Sequence, residues 1–320
     1  MPRKTIIVGN GLSLAHDQEH FQLKNAIQEV WDTPGILSEE EKQCILQCLS
    51  RNDGKPPEGE HELNKLHLVV TSCGFLSGVE TDELPWLSDY GRDFPDTIQR
   101  FIHKVATRLH LYPSDLPETF VAPLCEFLHK TKSHIATLNY DRLLYDAICD
   151  HGLVNGYNGD LIDGMLNSGF ECKNLERFYS NRLGFYLHLH GSPLFHSDDP
   201  PKKLARAELD METEISTAHI VLTHIDHKMS VIESSAVLSG YWEFFGEALS
   251  ESDEVIFIGY GGQDEHLNKR VQGMSKSKTI RVVEWSGSGE YVERLRYWRR
   301  RVGEHAELIQ LDNILEFTDW

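Results

Sequence analysis

The 320-residue sequence has no Cys-x-x-Cys pair; its six cysteines, Cys44, Cys48, Cys73, Cys125, Cys149 and Cys172, are scattered. That spacing argues against a zinc ribbon and offers no disulfide framework. Cys44 and Cys48 stand one helical turn apart, the spacing of two half-buried thiols on a helix rather than of a metal site. Long apolar runs are missing too. The longest, around Val255 to Tyr260, has the length of a strand and falls far short of the roughly 20 residues that a membrane span needs. Met1 to Lys4 is followed by only Thr5 to Val8 before Gly9, too little for the apolar core of an export signal, so a cytoplasmic protein is expected. Positive charge is scarce: 31 Lys and Arg against 50 Asp and Glu give a net charge of −19. Phosphate backbones are held by basic footprints, so no nucleic-acid binding is expected. The Arg cluster from Arg294 to Arg301 reads as a solvated or oligomer-facing surface.

What remains is an ordinary globular composition, 40% hydrophobic and 25% charged, in a chain that one elaborated domain can accommodate. Short β-branched or apolar runs read as strands at Thr5 to Val8, His134 to Asn139, Phe185 to His190, His219 to Thr223, Val255 to Gly259, Thr279 to Glu284 and Glu307 to Leu311. Helical periodicity separates many of them, at Asp141 to Cys149, Glu233 to Leu249, Asp264 to Met274 and Glu290 to Arg301. Such alternation predicts an α/β fold: a Rossmann-like, mostly parallel sheet with helices on both faces. Residues 32–131 break the pattern with three-and-four apolar spacing and read as a large, mostly helical insertion. Residues 151–184, rich in Gly and Asn, read as a loop-rich insertion, and Ser197 to Lys203 as a polar turn.

In a parallel sheet the carboxyl ends of the strands share one edge, where ligands bind. Four strand ends carry unusual residues. Gly9-Asn10-Gly11-Leu12-Ser13 spaces two glycines so that backbone N–H groups can approach a diphosphate, although a tight turn of purely structural purpose has the same wording. Thr137-Leu138-Asn139-Tyr140-Asp141 sets an Asn and an Asp two apart. Asp141 can cap the next helix, while the carboxamide of Asn139 offers a donor and an acceptor together, suited to orienting a ribose hydroxyl and a water. His188-Leu189-His190-Gly191 puts two imidazoles on one strand face without an acidic or Cys partner at ligand spacing, so no metal is expected. His190, before a glycine, has room for a substrate and suits a general base. Gly259-Tyr260-Gly261-Gly262-Gln263-Asp264 repeats the strand-to-glycine pattern, with Asp264 placed to cap a helix, and Glu284 ends the next strand where such folds bind a ribose diol. His224 and His227 form an H-x-x-H read as exposed loop residues.

Taken in order, these segments resemble the sirtuin superfamily: G-x-G-x-S at Gly9 to Ser13, T-x-N-x-D at Thr137 to Asp141, H-G at His190-Gly191 and a glycine turn at Gly259 to Gly262. The wording is closest to the sirtuin-like NAD hydrolases of bacterial antiphage defence, in the stretches Leu138 to Leu144, Leu189 to Ser192 and Gly259 to His266. The resemblance implies an NAD-dependent enzyme with Asn139 and His190 as catalytic residues and Asp141 near the nicotinamide carboxamide. It further implies an NAD site built by Gly9, Asn10, Gly11, Ser13, Thr137, Asp141, Gly259, Tyr260, Gly261 and Glu284. Two departures bear on substrate. The four-cysteine zinc ribbon of the protein deacylases is missing, and Leu14 to Gln18 replaces the segment that normally follows their first motif.

The expected activity is therefore hydrolysis of NAD⁺ to ADP-ribose and nicotinamide, used in abortive infection. A module that binds NAD or ADP-ribose without turnover is the alternative, and protein deacylation stands behind both. A homo-oligomer, activation by assembly or a trigger, and a hexameric ATPase or another defence partner are what the resemblance implies about company.

Overall fold

The computed structural model describes residues 2–81, 83–177, 183–214, 219–221, 231–275 and 277–320. The chain opens on strand β1, Lys4–Val8, and continues into helices α1 Gly11–His16, α2 Leu23–Asp32, α3 Glu39–Cys48, α4 Gly59–Val79, α5 Asp89–His110 and α6 Glu118–Thr131. It returns to the sheet as β2, His134–Thr137, followed by α7, Leu143–Asp150. Then come β3 Leu161–Ile162, β4 Met165–Leu166, β5 Gly169–Phe170, β6 Gly184–His188, β7 Phe195–His196 and β8 Lys202–Lys203. The last third alternates: α8 Ala236–Glu251, β9 Glu254–Ile258, α9 Glu265–Gln272, β10 Thr279–Trp285, α10 Tyr291–Val302 and β11 Glu307–Leu311.

Seven strands form one sheet in the order β11-β10-β9-β1-β2-β6-β3, every pairing parallel. The expected Rossmann-like α/β class is what the chain adopts. In β2 and β6 every residue is buried, and successive side chains point to opposite faces, so both faces of the sheet are covered. The β-branched run Thr5 to Val8 fills the centre, pairing Val8 with Thr137 on one side and with Ile258 on the other. Strand order runs outward from β1 through β2 and β6, then restarts at β9. That reversal opens a crevice beside β1, the place where such sheets hold ligands.

Local chemistry sets the helix ends. Ser38 and Glu41 form a reciprocal capping box at α3, and the side chains of Ser88, Ser235 and Asp264 cap α5, α8 and α9. In α5 the buried Phe94, Ile98, Phe101, Val105 and Leu109 recur at three- and four-residue intervals, which fixes the inward face of this 22-residue helix. α4 is apolar without a clear face and leaves Leu68, Phe75 and Val79 exposed, near Leu84, Trp86 and Tyr90 in sequence. None of the helices among the described residues is long and apolar enough to cross a membrane.

Four sequence readings need correction here. Residues 197–203 were expected to be a turn but end in a short antiparallel ribbon, β7 with β8, while β4 and β5 form another inside the segment read as loop. The strand expected at His219 to Thr223 is reduced to a single bridge from Ile220 to Gly191; Leu222 and Thr223 lie outside the described residues, as do His224 and His227. β2 and β6 stop at Thr137 and His188, so Asn139 and His190 sit just past the strands rather than in the ladder.

Candidate active site

Four strand ends meet in a cavity of about 290 Å³ lined by Gly9, Asn10, Leu138, Asn139, Tyr140, Asp141, His190, Tyr260, Gly261, Gln263 and Asp264, with Phe21, Leu23 and Leu109 as its apolar wall. The volume lies at the lower edge of the roughly 300–1,000 Å³ typical of small-ligand sites. Ladder bonds set the depth of each turn. Leu138 N–H donates to Val8 O at 2.9 Å, and Leu189 N–H donates to Thr137 O at 2.9 Å, so the residues after β1, β2 and β6 step across the mouth in register.

The polar side of the cavity is a relay. Asn139 Nδ2 donates to Ser13 Oγ at 3.1 Å, and Ser13 Oγ donates to Asp141 Oδ2 at 2.6 Å. Asp141 Oδ1 accepts from Leu143 N–H at 3.0 Å, so it does help to cap α7 while also facing the cavity. Burial pushes the Asp141 carboxyl above its ordinary range, against the lowering effect of the Ser13 and Leu143 hydrogen bonds. Asn139 is itself only 7% exposed, and its Oδ1 finds no hydrogen-bond partner among the described residues. A buried acceptor left unsatisfied is costly, which makes Oδ1 a ready site for a ligand donor or a water.

His190 closes the opposite side. Its Nε2 lies 3.2 Å from Asp264 Oδ2, and its ring stacks at 30° and 6.5 Å from that of Tyr140. The Tyr140 hydroxyl donates to Val221 O, and Val221 N–H donates to His190 O at 3.0 Å, so residues 219–221 strap the turn that carries His190. Gly191 has φ +83°, and a Cβ there would meet His219 O at 1.6 Å, so the strap can lie this close only over glycine. His110 Nδ1 donates to Tyr140 O at 2.9 Å and holds the other turn; burial lowers its pKa.

Of the residues expected from sequence, Gly9, Asn10, Asn139, Asp141, His190, Tyr260 and Gly261 line the cavity. Gly11, Ser13, Thr137, Gly259 and Glu284 do not. Ser13 acts through Asn139 and Asp141, and Thr137 Oγ1 accepts from Asn139 N–H at 3.1 Å. The N–H groups of Gly9 and Gly11, read as facing a diphosphate, are already used: they donate to Ile258 O at 3.0 Å and Gly259 O at 2.7 Å. These glycines exist for a different reason. A Cβ at Gly11 would meet Gly259 O at 2.6 Å, so the two turns wedge together backbone to backbone. Glu284, read as a ribose ligand, is engaged by Arg294, Trp298 Nε1 at 2.8 Å and Gln310 Nε2 at 3.1 Å. Burial raises the Glu284 pKa, and the Arg294 and Trp298 contacts outweigh it to leave the carboxyl below its ordinary range.

Sequence reasoning missed the wall. Phe21, Leu23 and Leu109 come from segments whose contact with the sheet edge no local motif announces. Asp264 was read only as a helix cap; its second oxygen, on His190, had no signal in the sequence. His188, by contrast, lies apart from the cavity. Tyr145, Tyr186, Phe195 and Tyr241 surround its ring, its Nε2 has no partner among the described residues, and burial holds its pKa down at about 3.

Polar side chains converge here at the switch point of a parallel sheet, the place where open α/β folds hold their ligands. Residues 133–281 match a family model described as SIR2-like domain, which supports a sirtuin-like family; such domains typically carry out NAD-dependent chemistry. The matched stretch contains Leu138 to Asp141, His190 and Tyr260 to Asp264, whereas Gly9, Asn10, Phe21, Leu23 and Leu109 precede it. No curated protein matches the chain.

Proposed function

We propose that the protein is an NAD⁺ glycohydrolase that converts NAD⁺ and water to ADP-ribose and nicotinamide. The observation that carries this reading is the pairing of Asn139, with its unsatisfied Oδ1, and His190 across one cavity at the switch point of the sheet. Nicotinamide leaves NAD⁺ as a neutral ring, so the anomeric carbon develops oxocarbenium character, and the protein's work is to hold the ribose and a water in attack geometry. In this reading Asn139 Oδ1 accepts from that water or a ribose hydroxyl, and His190 takes the proton, a contribution on the order of 10²- to 10⁴-fold. Asp141, whose pKa burial raises, faces the nicotinamide carboxamide. Gly9, Asn10, Tyr260 and Gly261 line the space for the rest of the dinucleotide, Gly9 by leaving room rather than through its N–H, which Ile258 O already takes.

NAD depletion in antiphage defence, action in the cytoplasm, a homo-oligomeric state and a hexameric ATPase or other partner accompany this proposal. The exposed Leu68, Phe75, Val79, Trp86 and Tyr90 support the assembly part, because apolar side chains gathered along one segment mark interaction surfaces. The test is to incubate the purified chain with NAD⁺, at several protein concentrations and with phage-infected lysate as activator, and to quantify nicotinamide and ADP-ribose. Turnover abolished by Asn139→Ala and by His190→Ala supports the reading. Tight NAD⁺ binding with no turnover in any condition replaces it with a sensor.

A further inference from the structure

We propose that Asp264 is a positioning residue that fixes the tautomer and ring plane of His190; its catalytic consequence rests on the NAD⁺ hydrolysis reading above. Asp264 is itself firmly held. Its Oδ1 accepts from Leu267 N–H at 3.0 Å as the cap of α9, and its own N–H donates to Tyr260 Oη at 2.8 Å. Tyr260 Oη donates in turn to Asn268 Oδ1 at 3.0 Å, and Asn268 Nδ2 donates to Gly262 O at 2.9 Å. Asp264 is 3% exposed, so the carboxylate has neither room nor rotamer freedom to turn away. Its remaining oxygen, Oδ2, lies 3.2 Å from His190 Nε2, and both side chains line the cavity.

A carboxylate oxygen only accepts, so His190 Nε2 must carry the proton in this contact, and the lone pair of the neutral ring resides on Nδ1. The Tyr140 ring, stacked on His190, restricts rotation out of this plane. During hydrolysis the water oxygen forms its bond to the anomeric carbon as the bond to nicotinamide breaks. That electron pair leaves with the ring nitrogen, neutralising the pyridinium, and the proton from water passes to His190 Nδ1. The imidazolium so formed faces the Asp264 carboxylate through Nε2–H, which stabilises it where charge develops. A cap alone needs only one oxygen, and Ser, Thr or Asn would serve. The second oxygen, aimed at the histidine, is what capping leaves unexplained.

Two variants separate positioning from capping. Asp264→Asn keeps an oxygen for Leu267 and turns an amide NH₂ toward His190, which favours the opposite tautomer; Asp264→Ser keeps the cap and leaves the ring without a carboxylate. With ¹⁵N-histidine-labelled protein at pH 8.5, and His190→Ala to assign the signals, the wild type should show the Nε2–H tautomer and Asp264→Asn the Nδ1–H tautomer. Both variants should keep the wild-type melting temperature within a few degrees and bind NAD⁺ within about threefold. Their kcat should fall on the order of 10²- to 10⁴-fold. An Nδ1–H tautomer in the wild type, or an unchanged tautomer in Asp264→Asn, overturns the proposal, as does full turnover in both variants. The spectra decide the positioning role even if the wild type proves unable to hydrolyse NAD⁺, so the two ideas fail separately.

Discussion

Acid should unfold this protein early, and His188 should be one measurable cause. The ring is 4% exposed, enclosed by Tyr145, Tyr186, Phe195 and Tyr241 at centroid distances of 4.9 to 6.1 Å. Burial holds its pKa at about 3. In the unfolded chain the same imidazole titrates near 6.5. Between these two values the unfolded state binds the extra proton, so stability falls as pH drops through about 6.5 and the loss is complete only below about 3. From pH 7.5 to pH 5 the loss assigned to this group is about 2 kcal/mol, a large part of the roughly 5–15 kcal/mol of an ordinary domain.

The perturbation is His188→Phe, which fills the aromatic cage with a ring that does not titrate. Its stability at pH 7.5 can move either way with packing, but the difference between the two pH values should shrink by about 2 kcal/mol. Urea unfolding followed by tryptophan fluorescence at both pH values measures this. His134 and His219, both buried with pKa values lowered to about 4, titrate in the same direction in both proteins and cancel in the comparison. Equal pH sensitivity in wild type and variant would refute a buried neutral His188.

Further expectations concern packing and the site. Gly191→Ala should cost about 2 kcal/mol or more, because a Cβ there collides with His219 O at positive φ; circular dichroism melts check it, and a melting temperature unchanged from wild type contradicts the close strap. Lys203→Met should cost on the order of 3 kcal/mol by stranding the buried Asp163 carboxylate, which Lys203 Nζ meets at 2.6 Å beside Tyr145. The double variant with Asp163→Leu should recover most of that loss in the same melts. Asn139→Ala should abolish NAD⁺ turnover yet change stability by less than about 1 kcal/mol, because it removes an unsatisfied acceptor along with one hydrogen bond.

Strands β1, β2, β6, β9, β10 and β11 were readable because each is a β-branched or apolar run followed within three residues by Gly, Asn or Asp, and the parallel class followed from their alternation with helices; β3, β4, β5, β7 and β8, two residues each, were too short to carry a period. Which strand ends converge was readable at the same level: Asn139, Asp141, His190 and Tyr260 share one cavity. What local motifs do not show is how individual groups are engaged within the fold. Gly9 and Gly11 look like diphosphate ligands in sequence, but a glycine placed for ligand approach and one placed for backbone-to-backbone packing are spelled identically. Glu284 looks like a ribose ligand until Arg294, one turn into α10, is folded back onto it. Phe21, Leu23 and Leu109 were illegible because an apolar residue lining a cavity and one filling a core follow the same periodicity.

The wedge of Gly11 against Gly259 has a consequence in time. The turn after β1 cannot take its final shape until β9 and the turn after it have been made and docked, and Asp264 follows only a few residues later. A chain still emerging from the ribosome therefore carries Asn139 and His190 without the far wall of the cavity. If the protein consumes NAD⁺, its nascent and truncated forms are incomplete by construction, and only a fully threaded sheet presents the site to the cell.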